Sequence, residues 1–158
     1  MLHLIPAWVQ RPLMPLANRI RNFWQQHASA DVYGVALIGF DADDQLLLVR
    51  HSYGARKWAM PAGGIKRDEN PEDGIRREIR EELSVELSDL ELVMEHKEQV
   101  PGQDRKHHVW VFTARVLEKP RPDMREVIDA RYFDLDDLPE PLEKRVRPRL
   151  EMLQARKL

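Results

Sequence analysis

The stretch GGIKRDENPEDGIRREIREELSV, Gly63 to Val85, constrains this chain most, because its second half carries two patterns at once. Asn70 is a good helix N-cap, Pro71 suits the first helical position, and Glu72 and Asp73 sit where the helix dipole favours anions. Ile75, Ile79 and Leu83 recur every four residues and predict a buried stripe. Arg76, Arg77 and Arg80 turn largely away from it. Glu78, Glu81 and Glu82 stand at i, i+3 and i+4 and share one narrow face. Like charges at these spacings repel by about 0.2–0.5 kcal/mol per pair on an exposed helix. Such a face is either simply solvated or built for a hard divalent cation. Mg²⁺ takes a few carboxylates together with substrate phosphates.

The surrounding residues bear on that choice. The stretch resembles the Nudix box, G-x5-E-x7-R-E-U-x-E-E-x-G-U with U aliphatic. Gly63, Glu69, Arg77, Glu78, Ile79, Glu81, Glu82 and Val85 fall on its fixed positions, and Ser84 replaces the second fixed glycine. That glycine usually serves a left-handed C-cap, where another residue costs on the order of 1 kcal/mol. Gly74 in the helix body costs a similar amount against alanine, and we expect it to let the helix approach the sheet.

The resemblance implies a strand–loop–helix–loop unit that holds Mg²⁺, or Mn²⁺ in its place, against a pyrophosphate. By resemblance Glu69 and Arg77 are a structural pair, while Glu78, Glu81 and Glu82 are metal ligands and the Gly63 carbonyl is a further one. Glu82 or a glutamate from a later loop is the general base. The implied fold is α/β, a mixed, mostly antiparallel curved sheet between helices, over about residues 31 to 140.

Two domains of unequal weight follow: an N-terminal amphipathic extension, 1–30, and a Nudix domain, 31–158. The 158-residue chain is long enough for a sizeable core, and its net charge of −2 gives no sign of bulk nucleic-acid or membrane affinity. The absence of cysteine excludes disulfides, thiolate zinc sites and a cysteine nucleophile, and suits a reducing, cytoplasmic setting. No apolar run approaches membrane-spanning length.

Residues 1–30 contain no acid, and Leu13, Leu16, Ala17, Ile20, Phe23 and Trp24 share a helical face. Ala28-Ser29-Ala30 mimics a signal-peptidase site, but the polar residues before it leave no apolar core region, so we expect no signal peptide. A presequence or membrane-surface helix is the alternative to docking on the domain itself or on a second subunit as a homodimer.

Val32 to Phe40, a turn at Asp41 to Asp44, and Gln45 to Arg50 predict a hairpin. Arg50 and the loop from His51 to Lys57 lie beside the expected site. Arg50 and Arg56 either reach phosphates or are surface cations, and Trp58 either stacks on a base or packs in the core. Leu90 to Val100 predicts a strand with Leu90, Leu92 and Met94 on one face. His108 to Val116 is apolar on both faces, as a central strand would be. Adjacent His107 and His108 would point to opposite sides, which is poor geometry for a shared metal. Leu142, Val146, Leu150 and Leu153 predict a closing helix kinked at Pro148.

Three carboxylates on one helix face can hold a cation from one side only. Glu126 opens EVIDARYF, which resembles the E-[VI]-x-x-[AV]-x-[WY]-F segment of many Nudix proteins, where that glutamate often faces the metals. It is therefore the expected carboxylate from outside the box, as metal ligand or base, and Glu98 is its rival.

The expected function is Mg²⁺-dependent hydrolysis of a pyrophosphate bond in a nucleoside diphosphate linked to another group, such as ADP-ribose or a nucleotide sugar. Pro101, sixteen residues past Val85, matches a spacing associated with ADP-ribose pyrophosphatases. Cleaning of oxidised nucleoside triphosphates, RNA 5′-end processing and a non-catalytic ligand-binding role are the alternatives. A nucleophile elbow, a P-loop and a dinucleotide fingerprint are all missing.

Overall fold

A computed structural model describes residues 31–99 and 106–156. The expected extension 1–30, with its docking or dimer-forming helix, and the turn at Pro101 lie outside the described residues, as does the side chain of Glu98.

Seven strands and two helices are described. They are β1 (Val32–Phe40), β2 (Leu46–His51), β3 (Trp58–Ala59), β4 (Ala62–Ile65), α1 (Pro71–Leu83), β5 (Ser88–Gln99), β6 (Lys106–Arg115), β7 (Val127–Phe133) and α2 (Val146–Arg156). The sheet runs β3-β2-β1-β6-β5, with β4 added to β1 and β7 to β2. β1 and β6 are parallel from Val32↔His107 to Phe40↔Arg115, the other strand-to-strand ladders described are antiparallel, and an isolated parallel bridge joins Trp58 to Leu142.

Residues alternate between two cores. Val35, Leu37, Leu47, Val49 and Phe112 face one layer, closed by Ile75, Ile79 and Leu83 of α1. Ala36, Ile38, Leu46, Leu48 and Val111 face the other, closed by Val146, Leu150 and Leu153 of α2. Strands buried on both faces explain why β1, β2 and β6 lack a polar alternation. The fold is thus the mixed sheet between helices that the sequence implied. Among the described residues, no helix is long and apolar enough to cross a membrane.

Three local expectations change. The hairpin forms, but its ladder is a single pair, Phe40↔Leu46. Beyond it β1 takes β4 as partner and β2 takes β3 and β7, so the sheet splays there. In β5, irregularities between Ser88 and Glu91 and between Leu92 and Met94 break the alternation. Leu92 is left 43% exposed while Val93 is buried. Pro148 does not kink a helix body, because α2 begins at Val146 and places the proline in its first turn, where no N–H is needed. Arg156 at the other end donates to the Val93 carbonyl and ties α2 to β5.

α1 carries the caps its sequence predicts. The Asn70 side chain accepts from the Glu72 N–H at 2.8 Å, and Ser84 ends the helix in the left-handed region at φ 55°, its N–H donating to the Arg80 carbonyl. A Cβ on Gly74 would lie 2.4 Å from Cγ2 of Ile65, so glycine is what lets α1 sit down on β4.

Candidate active site

The buried stripe of Ile75, Ile79 and Leu83 fixes the rotation of α1 and thereby aims its glutamates. Glu82, beside Leu83, is only 7% exposed. Glu78 is largely buried and Glu81 stands mostly in solvent. The acidic face therefore runs from the interior outward, which a merely solvated face would not do. Glu78 crosses the backbone of β4 at Gly63, where a Cβ would come within 2.2 Å of its Cδ. Only glycine leaves room for that carboxylate.

Arg77 closes the loop between β4 and α1. Its Nε donates to Glu69 at 2.9 Å, its Nη1 to Glu78 at 2.7 Å and its Nη2 to the Gly64 carbonyl at 3.3 Å. Glu69 also accepts from the Lys66 N–H at 3.0 Å. The Arg77 bond, helped by that N–H, holds the Glu69 carboxyl below its ordinary range, and the pairing raises Arg77 in turn. The structure thus places Arg77 against Glu78 as well as against Glu69.

A second element completes the cluster. The segment after β6 docks on the C-terminal end of α1: Arg121 N–H donates to the Leu83 carbonyl at 2.7 Å, and Asp123 N–H to the Glu82 carbonyl at 2.9 Å. These bonds satisfy carbonyls that a helix end leaves open. The Asp123 carboxylate then accepts from the N–H groups of Arg125, Glu126 and Val127 at 3.0, 3.1 and 3.0 Å. The Glu126 carbonyl accepts from Ser52 N–H at 2.8 Å. The backbone of Glu126 is held from both sides, and its carboxylate acts on both Glu78 and Glu82.

The electrostatics follow from this crowding. Burial pushes the Glu82 carboxyl up to about 9, with the charges of Glu78, Glu126, Asp123 and Glu81 adding to it. Its Oε2 is buried without a hydrogen-bond partner among the described residues. Burial also raises Glu78, and Arg77 offsets part of that while Glu81 and Glu126 add to it. Oxygen donors of one sign, one of them orphaned in the interior, suit a hard cation. Among the described residues, however, no three side chains are already drawn together at metal-holding distance.

The other expected site residues have partners or surroundings of their own. Trp58 is 6% exposed, meets Phe133 edge-on at 4.8 Å and has the Arg50 guanidinium 4.9 Å from its ring centre. Arg50 pairs with Asp129 at 3.0 Å. Arg56 is exposed, in the loop between β2 and β3. No hydrogen bond or ion pair among the described residues joins any of the three to Glu78, Glu81, Glu82 or Glu126. His108 stacks on Tyr33, with ring centres 4.9 Å apart. Asp123 is the residue whose part the sequence concealed. Its signal is a short polar residue followed by three N–H groups of a turn, a pattern common in loops of every kind.

A family model described as the NUDIX domain matches residues 31–154. The chain is 36% identical over 80 residues to diphosphoinositol polyphosphate phosphohydrolase 3-alpha of Mus musculus, covering 49% of this chain and 46% of that protein. It is 38% identical over 66 residues to an RNA pyrophosphohydrolase of Marinomonas sp. (strain MWYL1), covering 40% of each. The chain thus spans about half the length of the curated relatives it matches, or less. Among solved structures, a MutT NUDIX hydrolase from Burkholderia pseudomallei superposes with a TM-score of 0.67 at 26% identity, over 78% of this chain and 98% of that one.

Proposed function

The chain belongs to the NUDIX family, and from that premise we propose that it hydrolyses a pyrophosphate bond in a nucleoside diphosphate linked to another moiety, ADP-ribose and nucleotide sugars being the first candidates. The observation that carries this is the buried, unpartnered Glu82 oxygen among the negative charges of Glu78, Glu81, Asp123 and Glu126. Glu78, Glu81, Glu82 and Glu126, with the Gly63 carbonyl, are the groups that would hold Mg²⁺ or Mn²⁺. The cation supplies positive charge to the phosphate oxygens and acidifies water.

The chain's own residues do the rest. Glu82 accepts the proton of the attacking water, and Glu126 contributes a carboxylate from the side opposite α1. Arg77 and Glu69 keep the loop and Glu78 in place. Arg50 and Arg56 approach substrate phosphates, and Trp58 sets the direction of Arg50 from beneath it.

A second reading, removal of phosphates from an RNA 5′ end, has support in the RNA pyrophosphohydrolase likeness, and cleaning of nucleoside triphosphates is the further alternative. A non-catalytic role fits less well, because every box carboxylate is present. The test is a panel of ADP-ribose, nucleotide sugars, nucleoside triphosphates and 5′-triphosphorylated RNA, with and without Mg²⁺. We expect turnover that disappears in excess chelator. Unchanged turnover in chelator, or none on any member, overturns the proposal.

A further inference from the structure

On the face of the sheet away from α1, two cavities adjoin. One, of about 370 Å³, extends from Ala62 and Gly63 to Glu143 and Arg149, and the other, of about 410 Å³, continues over Met94 and His96 to Met152. His107, Val109, Arg145 and Arg149 line both, so the two form one groove between the sheet and the first turns of α2. Each volume lies within the range of ligand sites. At one end the groove reaches β4, the strand whose Gly63 carries Glu78 on its other face. Among the described residues the strand that β4 pairs with is β1.

The charges of this groove are not balanced. Glu143 is bound by Arg145, Oε1 accepting from Nε at 3.0 Å and Oε2 from the backbone N–H at 2.9 Å. Burial alone would raise Glu143, but Arg145, with the charge of Arg149, outweighs it and holds the carboxyl low. Arg149 is half-buried, and its guanidinium makes no hydrogen bond or ion pair with the described residues. Burial and the repulsion of Arg145 act against its charge and outweigh the attraction of Glu143. An arginine does not escape by losing its proton. Glu143 is the carboxylate acting on both guanidiniums and is already bound by Arg145, so positive charge is in excess here, and the planar fork of Arg149 matches phosphate.

We propose that this groove is an anion site, with Arg149 as direct ligand and Arg145 beside it, that takes a phosphate of the substrate other than the two flanking the bond that breaks. The inference rests on the hydrolase reading and narrows it. Among nucleoside diphosphates it favours those whose attached moiety bears its own phosphate over those ending in a neutral sugar.

The full chain, freed of metal, is titrated with inorganic phosphate while the arginine Nε–Hε resonances are followed by NMR. Without a cation the acidic cluster repels anions, so binding reports on the groove. We expect saturable shifts at Arg149, at least tenfold weaker binding in Arg149→Ala, partial recovery in Arg149→Lys, and no change in Glu82→Gln. Melting curves establish that each variant is folded. In a second arm, Arg149→Ala should raise KM for ADP-ribose 1″-phosphate, whose extra phosphate is on the attached ribose, at least tenfold more than KM for ADP-ribose. No saturable phosphate binding, equal binding in Arg149→Ala, or equal KM changes overturns the inference. Phosphate binding that needs Arg149, without turnover of any substrate, instead upholds the groove and overturns the hydrolase reading.

Discussion

Glu82→Gln should make the metal-free protein more stable while removing its activity. The Glu82 carboxyl has an ordinary value of 4.5 unfolded and is pushed up to about 9 when folded, chiefly by burial. A raised carboxyl contributes stability that is complete below the unfolded value and is lost as pH rises towards the folded one. Within that window the loss approaches about 1.4 kcal/mol per pH unit for one proton. By pH 7 it is on the order of 3 kcal/mol, an upper figure because the cluster relaxes on charging. Glutamine does not titrate and keeps nearly the same shape, so the variant's stability should lack this slope. Urea denaturation of metal-free wild type and variant at half-unit steps from pH 5 to 8 measures the difference. Added Mg²⁺ should restore the wild type far more than the variant. With Mg²⁺ and substrate, kcat of the variant should fall at least about 10²-fold, a loss typical of a missing general base or charge-stabilising group. Parallel stability curves for the two proteins, or a variant less stable at pH 7, would refute the placement of Glu82 as a buried group in a field of negative charge.

Arg77→Ala should lower stability by about 1–3 kcal/mol, since it strips a charged partner from Glu69 and Glu78 but is itself partly exposed; an unchanged melting temperature with abolished Mg²⁺ affinity would contradict the structural part of its role. Asp123→Ala should cost about 1–3 kcal/mol by releasing three backbone N–H groups, and should lower kcat more than it raises KM, whereas Asp123→Asn should retain most of both. Gly63→Ala should displace Glu78, read as weaker Mg²⁺ binding by calorimetry with the fold intact by circular dichroism. Glu126→Gln should lose kcat at saturating Mg²⁺ and substrate; if it stays near wild type while Glu98→Gln loses activity, the outer carboxylate is Glu98.

Legibility followed sequence distance. α1 was open to reading from its first cap to its last, because Asn70, the Ile75–Ile79–Leu83 stripe and Ser84 act within a few residues of one another. The two-faced burial of β6 was visible for the same reason, Val111 and Phe112 being neighbours that face different cores. What failed required partners from elsewhere. Leu92 was expected inward by simple alternation, and two irregularities in its pairing with β6 turned it out. Pro148 was expected to bend a helix whose first residue is set by how the chain runs past β3, where Trp58 N–H donates to the Pro141 carbonyl and Glu143 N–H to the Trp58 carbonyl. Arg149 gave no signal, since its place in the groove beside Arg145 and Glu143 is set by the packing of α2 on the sheet.

The same contrast explains why the candidate site is a costly arrangement. Along α1, local rules are obeyed wherever they serve folding: caps, dipole, apolar stripe and the Arg80–Glu86 pair at 2.6 Å. They are broken at Glu78 and Glu82, where carboxylates are buried beside one another, and at Gly63 and Gly74, where side-chain bulk is given up. The compensating bonds lie nearby and are directed at those positions: Arg77 onto Glu78, and the Arg121 and Asp123 N–H groups onto the end of α1. A helix shaped only for stability would need none of this, for leucine or glutamine at position 82 would fill the same interior at lower cost. Buried carboxyl groups that the fold holds in place, with stabilising bonds directed around them, are expected where a bound cation supplies counter-charge to their ionised form.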